Sequence, residues 1–297
     1  MSLGKALDHG IMLQETARIA EIQAGYKVDG RIYGNYLSNE SWKAFEADMK
    51  ANHPKAYEQY ALGGGKEMEE RKSGKYIYPP KMASFGSSSR MIYNLMKSNP
   101  DFLYEMKLPT TIGGIANLDG FLETKEKCLF VEAKCREPYS QQKGEVAEKY
   151  RELYEYLTRS ENNNLTCEIL GVAAGKMQVR FYIGQNERTC FDIKQMICHL
   201  LGIATACLQG RYNKNTQFIY LLYNPTELAI EKEIHKKEIL QKYDQECAEC
   251  AEVDFSGLFF DILSFLTDVK GVGSAQEVSK IAAGFSFRLC DQHATLD

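Results

Sequence analysis

Two short apolar runs, Asn117-Leu118-Asp119-Gly120-Phe121-Leu122 and Leu129-Phe130-Val131-Glu132-Ala133-Lys134, constrain this chain more than any other feature. Each is rich in residues that fit a pleated, half-buried surface, and Thr124-Lys125-Glu126 between them is short enough for a hairpin connection. In a strand, residues i and i+2 share a face. Glu132 and Lys134 are therefore expected to project together, with the small Ala133 turned into the sheet behind them. Asp119, on the preceding strand, can bring a second carboxylate to the same place. Two hard oxygen ligands suit Mg²⁺, with Mn²⁺ as a substitute. A lysine beside them can orient a water or help to deprotonate it. In outline this is a metal-dependent hydrolytic site.

The surrounding pattern predicts an α/β fold. Polar helices are expected over 7–22 and 41–60, with Asn39 or Ser41 as a cap and Pro54 as an interruption. Gly63-Gly64-Gly65 reads as a turn, since no strand precedes it and no Lys-Ser or Lys-Thr pair follows. Ser87-Ser88-Ser89 offer caps for a short helix through Lys97, which Asn99-Pro100 ends. Strands are expected over 102–108, 114–123 and 127–134, a charged helix over 145–157, and extended structure over 168–183. The strongest helix runs from Asp192, its expected cap, to Leu208, with an apolar stripe of Ile193, Met196, Ile197, Leu200, Leu201 and Ala204. A buried strand over 218–223 and helices over 227–252, 255–266 and 275–283 complete the pattern. This divides the chain into an N-terminal helical extension (1–80), a core (81–224) and a mostly helical C-terminal extension (225–297).

Composition narrows the partners. A hydrophobic fraction of 44% and a charged fraction of 26% are those of an ordinary soluble protein. The longest apolar run, Ile197 to Leu208, is interrupted by His199, Gly202 and Thr205, so no membrane partner is expected. Nine cysteines without a repeating framework read as reduced thiols, which implies a cytoplasmic protein. A net charge of −4 argues against a globally basic nucleic-acid binder. One local exception stands out: from Arg71 to Pro100 there are six basic residues and no acid, with Tyr76, Tyr78, Phe85 and Tyr93 interleaved. Phosphate-neutralising charge of this kind underlies nucleic-acid affinity; a solvated basic loop and helix explain it equally well.

In order and chemistry the chain resembles the PD-(D/E)XK nuclease superfamily, the fold of many restriction endonucleases. That core has a helix, three strands, a helix and a fourth strand in a mixed central sheet, which maps onto 87–97, the three strands above, 192–208 and 218–223. Asp119 matches the first metal-binding acid, Glu132 the second and Lys134 the motif lysine, while Leu118 stands where the motif has proline. A narrower resemblance, to a bacterial group of uncharacterised restriction-endonuclease-like proteins, rests on Ala83-Ser84-Phe85-Gly86-Ser87-Ser88-Ser89-Arg90 and on the stretch from Lys194 to Gly202. The resemblance implies a Mg²⁺-dependent nuclease acting on DNA, with the Ala133 carbonyl as a further metal ligand and Gln195 near the metal. The alternative is a non-catalytic nucleic-acid-binding module on the same fold.

Around that site, Lys81, Ser88, Ser89 and Arg90 are candidates to hold phosphate at a helix start, although capping alone would explain the serines. Glu105 is either an extra acid ligand or a solvent-facing residue, and His199 is expected to pack against the sheet. The charged run 227–252 is a candidate oligomerisation helix, which leaves a homodimer open. Cys247 and Cys250, with Cys290 and His293, have ligand types that suit zinc, but their separation is far longer than in usual zinc modules.

Overall fold

The computed structural model describes residues 2–63, 67–139, 144–187 and 192–296. Helix α1 (Leu3–Arg18) leads into a hairpin of β1 (Ala24–Val28) and β2 (Arg31–Leu37). Its two-residue turn, Asp29-Gly30, holds positive φ at both positions, 50° and 69°, the turn whose twist matches that of the strands it joins. Helices α2 (Asn39–Asn52) and α3 (Pro54–Leu62) follow. The cap of α2 is Ser38, whose side chain accepts the Ser41 N–H, rather than Asn39 or Ser41. Pro54 begins a separate helix, where its missing N–H costs nothing. A small hairpin of β3 (Arg71–Ser73) and β4 (Tyr76–Tyr78) then leads to α4 (Ser88–Met96), capped by Ser87. The segment expected to be a helical extension thus also contains two hairpins. Two of the three glycines at 63–65 lie outside the described residues.

The core strands come next: β5 (Leu103–Pro109), β6 (Ile115–Glu123) and β7 (Lys127–Lys134). The charged stretch after them is not one helix. It begins with β8 (Glu145–Ala147), and α5 (Arg151–Arg159) starts only after a short 3₁₀ turn. Strands β9 (Leu165–Ala173), β10 (Lys176–Ile183) and β11 (Asn186–Glu187) form a second sheet with β8, in which β8, β9 and β11 each pair with β10. Helix α6 (Ile193–Leu208) is capped by the Asp192 side chain, as its sequence indicates. Strand β12 (Asn215–Leu222), helices α7 (Glu233–Ala251), α8 (Phe255–Asp268) and α9 (Ala275–Ala283), and a last strand β13 (Phe285–Asp291) complete the chain.

The main sheet has the order β13-β12-β7-β6-β5. Its β5, β6 and β7 are antiparallel neighbours, whereas β7, β12 and β13 run parallel, so the sheet is mixed. Alternation sorts its side chains between two cores. Phe130, Phe218 and Tyr220 pack with α6 and α8, while Leu129, Val131, Ala133, Ile219 and Leu221 pack with α1, α3 and α4. Central strands covered on both faces need apolar residues in both registers, which is why β7 and β12 read as continuous apolar runs. Gly202 lets α6 lie close to the sheet: a Cβ there would stand 2.6 Å from Ala116 Cβ and 3.1 Å from Leu108 Cβ. The fold is therefore α/β, a mixed central sheet with helices on both faces. No helix among the described residues is long and apolar enough to cross a membrane, and the described cysteines are free thiols.

Candidate active site

The site forms where β6 and β7 part. Their ladder ends at the pair Gly120–Val131, and the Asp119 carboxylate takes over, with Oδ2 accepting the Ala133 N–H at 2.7 Å. Ala133 thus reaches the site through its backbone, while its side chain packs in the core behind the sheet. On the other face of β7, Lys134 Nζ lies 2.8 Å from Glu132 Oε1. Gln195, on the first turn of α6, bridges the pair: its Nε2 donates to Glu132 Oε1 at 2.8 Å, and its Oε1 accepts from Lys134 Nζ at 2.6 Å. The cap at Asp192 fixes that first turn by accepting the Gln195 N–H. One turn on, His199 is 2% exposed, with Nε2 3.2 Å from Glu132 Oε2 but off the line that a hydrogen bond needs. It is packed behind Glu132, away from the cleft.

Asp119, Glu132, Ala133, Lys134 and Gln195 line one cleft of about 700 Å³, together with Glu67, Lys81, Ser88, Ser89, Glu105, Lys107 and Arg136. The β5–β6 register, Tyr104 opposite Gly120 and Met106 opposite Leu118, sets Glu105 across from Asp119. Glu105 has φ +55°, a conformation that side chains other than glycine adopt at some cost and that persists where the surroundings enforce it. It lines the cleft and is half-buried, so it is not simply solvent-facing, but it does not converge with two other acids as a metal-holding group among the described residues. Glu67 was not visible in the sequence as a site residue. It is 5% exposed, and its Oε1 pairs with Lys81 Nζ at 2.8 Å. No periodicity marks it, because the segment that carries it is neither helix nor strand.

Charge is unevenly distributed in this cleft. Burial would raise the Glu132 carboxyl, but Lys134 and His199 outweigh it and hold it at about 2. Burial acts on Lys134 in the opposite sense, and Glu132, Glu137 and Asp119 hold its ammonium above the usual lysine range. Asp119 has no ion-pair partner among the described residues; burial and the neighbouring Glu132 push it well above the usual carboxylate range. Burial and Glu67 bring Glu105 to about 7. The floor therefore has two carboxyl groups short of a cation. Lys107 and Arg136 stand at its edge, Lys107 exposed and Arg136 reaching Asp8 at 3.1 Å.

A divalent cation fits this arrangement in part. Asp119, which has no cation paired with it, the Glu132 carboxylate and the adjacent Ala133 backbone are hard oxygen donors, but Glu132 Oε1 is engaged by Lys134 and Gln195 and its Oε2 lies 3.2 Å from His199. Among the described residues, however, no three His, Cys, Asp or Glu side chains converge as a closed metal centre. The same finding bears on Cys247, Cys250, Cys290 and His293: Cys247 and Cys250 lie in α7 and Cys290 in β13, and they do not form a zinc-type cluster.

Not every expected phosphate contact faces the cleft. Lys81 does, but it is paired with Glu67. Ser88 and Ser89 line the cleft, and the Ser89 carbonyl also accepts the Tyr60 hydroxyl at 3.0 Å. Arg90 is a correction: it is 3% exposed, bound to Glu15 at 2.5 Å, and packed near the rings of Phe85 and Phe45. Helical spacing turns it about 100° from Ser89 and about 200° from Ser88, away from the cleft that both serines line. Phe85 and Tyr93 are likewise core residues, not stacking platforms. No family model, curated protein or solved structure matches this chain.

Proposed function

We propose that the protein is a Mg²⁺-dependent nuclease that hydrolyses phosphodiester bonds in DNA, built on a restriction-endonuclease-like core of α4, β5, β6, β7, α6 and β12. The observation that carries this reading is the convergence of Asp119, Glu132, Lys134 and Gln195 at the parting of β6 and β7, on one cleft. The succession of a helix, three strands, a helix and a strand, with β8, α5, β9, β10 and β11 inserted before α6, supports the reading, because it follows the order expected from the resemblance to the PD-(D/E)XK nucleases.

Asp119 and Glu132 would hold the metal with the Ala133 backbone. A cation held there would supply Lewis acidity toward water and toward charge gathering on the phosphate. The protein's own groups have separable tasks. Lys134 is an ammonium and so cannot accept a proton in this state; it orients the attacking water and places positive charge beside the phosphate oxygens. Gln195 locks the Glu132–Lys134 pair in one geometry. Lys107 and Arg136 at the cleft edge attract the phosphate backbone.

Supercoiled plasmid, linear duplex, single-stranded DNA and RNA are incubated with Mg²⁺ or Mn²⁺ and either the wild type or Lys134→Ala. Cleavage of DNA by the wild type alone is the expected result. Equal cleavage by both proteins, or none of any substrate, overturns the reading. A second reading, a non-catalytic nucleic-acid-binding module, draws on the absence of a closed metal centre among the described residues. It expects binding that is indifferent to metal and falls steeply with salt, and no hydrolysis.

A further inference from the structure

The buried Arg90 guanidinium is the observation that the nuclease reading leaves unused. Its Nη2 binds Glu15, but its Nε and Nη1 have no partner, and the residue is 3% exposed. Its Cζ lies 4.9 Å from the centre of the Phe85 ring and 5.6 Å from that of Phe45. Leaving such donors unmade in the interior is costly, more so on a charged group. Arg90 lines a cavity of about 350 Å³ on the far side of α4 from the cleft. Ile11, Met91, Leu95 and Leu228 form an apolar wall, and Arg18 stands at the same cavity. A volume of this size suits a small molecule, and because Glu15 and Glu227 also line it, an anion would lie toward Arg90 and Arg18.

We infer that this cavity binds a small organic oxyanion, a carboxylate or phosphate monoester on a compact apolar body, through the Nη1 end of Arg90. The oxyanion accepts from Nη1 and from the second Nη2 hydrogen, the end-on fork of a guanidinium that an ammonium does not offer, while the other Nη2 hydrogen stays on Glu15. The apolar body lies along Met91, Leu95 and Leu228. Cys135, directly after Lys134, also borders the cavity, so the ligand would sit against the end of the strand that carries the candidate catalytic lysine. The inference does not depend on the nuclease reading, because the cavity and the cleft share no lining residue.

The test is calorimetric titration of the full chain, without metal, using hexanoate, hexyl phosphate, hexanol and inorganic phosphate as probes. Hexanoate or hexyl phosphate should bind at least about tenfold more tightly than hexanol, the lower bound for hydrogen bonds to a charged group. The stronger of the two identifies the headgroup. Asn94 is an exposed residue at the cavity, so Asn94→Trp should leave the fold intact and abolish binding by filling it. Arg90→Lys should lose the preference for the anions; because it disturbs the buried pair with Glu15, its fold is checked by circular dichroism and Asn94→Trp decides if it fails. Equal binding of hexanol and hexanoate, binding that survives Asn94→Trp, or no binding of any probe overturns the inference. The last result would mean that water alone satisfies Arg90.

Discussion

Replacing Lys134 by methionine keeps most of the side chain's volume and removes its charge. Lys134 is 6% exposed and Glu132 2%, so the ion pair is buried, and the loss leaves a carboxylate in the interior without its cation. Breaking one side of a buried pair costs about 3–5 kcal/mol, against about 0.2–1 for an exposed one. The lower end is expected here, because the Gln195 amide still donates to Glu132 and His199 stands 3.2 Å away. The sign with pH follows from linkage. In the wild type Glu132 is held at about 2, below its ordinary 4.5, so its contribution is present above 4.5 and lost only as pH falls through about 2. In the variant burial dominates and the Glu132 pKa rises, so the folded state binds the extra proton and the variant gains stability as pH falls toward 4.5. Urea denaturation at pH 7.5 and 5 should show the gap between the two proteins narrowing in acid. Glu132→Gln added to Lys134→Met should recover part of the loss, since no charge then remains. A deficit below about 1 kcal/mol at pH 7.5, or a double variant no better than the single, refutes the picture of a buried, mutually dependent pair.

Asp119→Asn should raise the melting temperature of the metal-free protein at pH 8 while abolishing the further rise on adding Mn²⁺, because the amide still accepts the Ala133 N–H and removes a charge that burial and Glu132 oppose; differential scanning fluorimetry with and without metal reads both effects. Glu246, buried in α7 and accepting the Tyr220 hydroxyl at 2.8 Å, is raised to about 7 by burial, so it stabilises the fold in acid and that contribution falls as pH rises from about 4.5 through 7. Glu246→Gln should flatten this dependence, by up to on the order of 3 kcal/mol, in urea titrations at pH 5 and 8.5. Gly202→Ala should cost about 1–3 kcal/mol in the same assay, since the added Cβ meets Ala116 and Leu108 on the sheet and neither can yield much.

Strand period and cap chemistry are local properties, and both were legible in the sequence. The face shared by Glu132 and Lys134, the hairpin at Thr124–Glu126 and the Asp192 cap depend on residues close together in the chain, and the structure has all three. The hairpin at Asp29-Gly30 and the alternation Phe285, Phe287, Leu289 in β13 were equally local signals, overlooked beside stronger helical ones. Ser87 to Arg90 shows where local reasoning stops. A cap and a basic residue at a helix start suggest a phosphate site, but about 100° of helical rotation separates Ser89, facing the cleft, from its neighbour Arg90, facing the core, and only packing decides which. In this chain α4 turns its serines to the cleft and buries Arg90 against Glu15, 75 residues earlier.

What the sequence by itself determined is the α/β pattern and a strand bearing Glu132 and Lys134 on one face, because pleat and helix periods are properties of adjacent residues. Tertiary structure alone decided that Asp119 faces them across the end of a ladder, that Glu67 and Glu105 join the same cleft, and that Gln195 bridges the pair. The same holds for protonation. A carboxyl group's state depends on how much water it keeps and which charges fold up beside it, and those neighbours come from elements far apart in the chain.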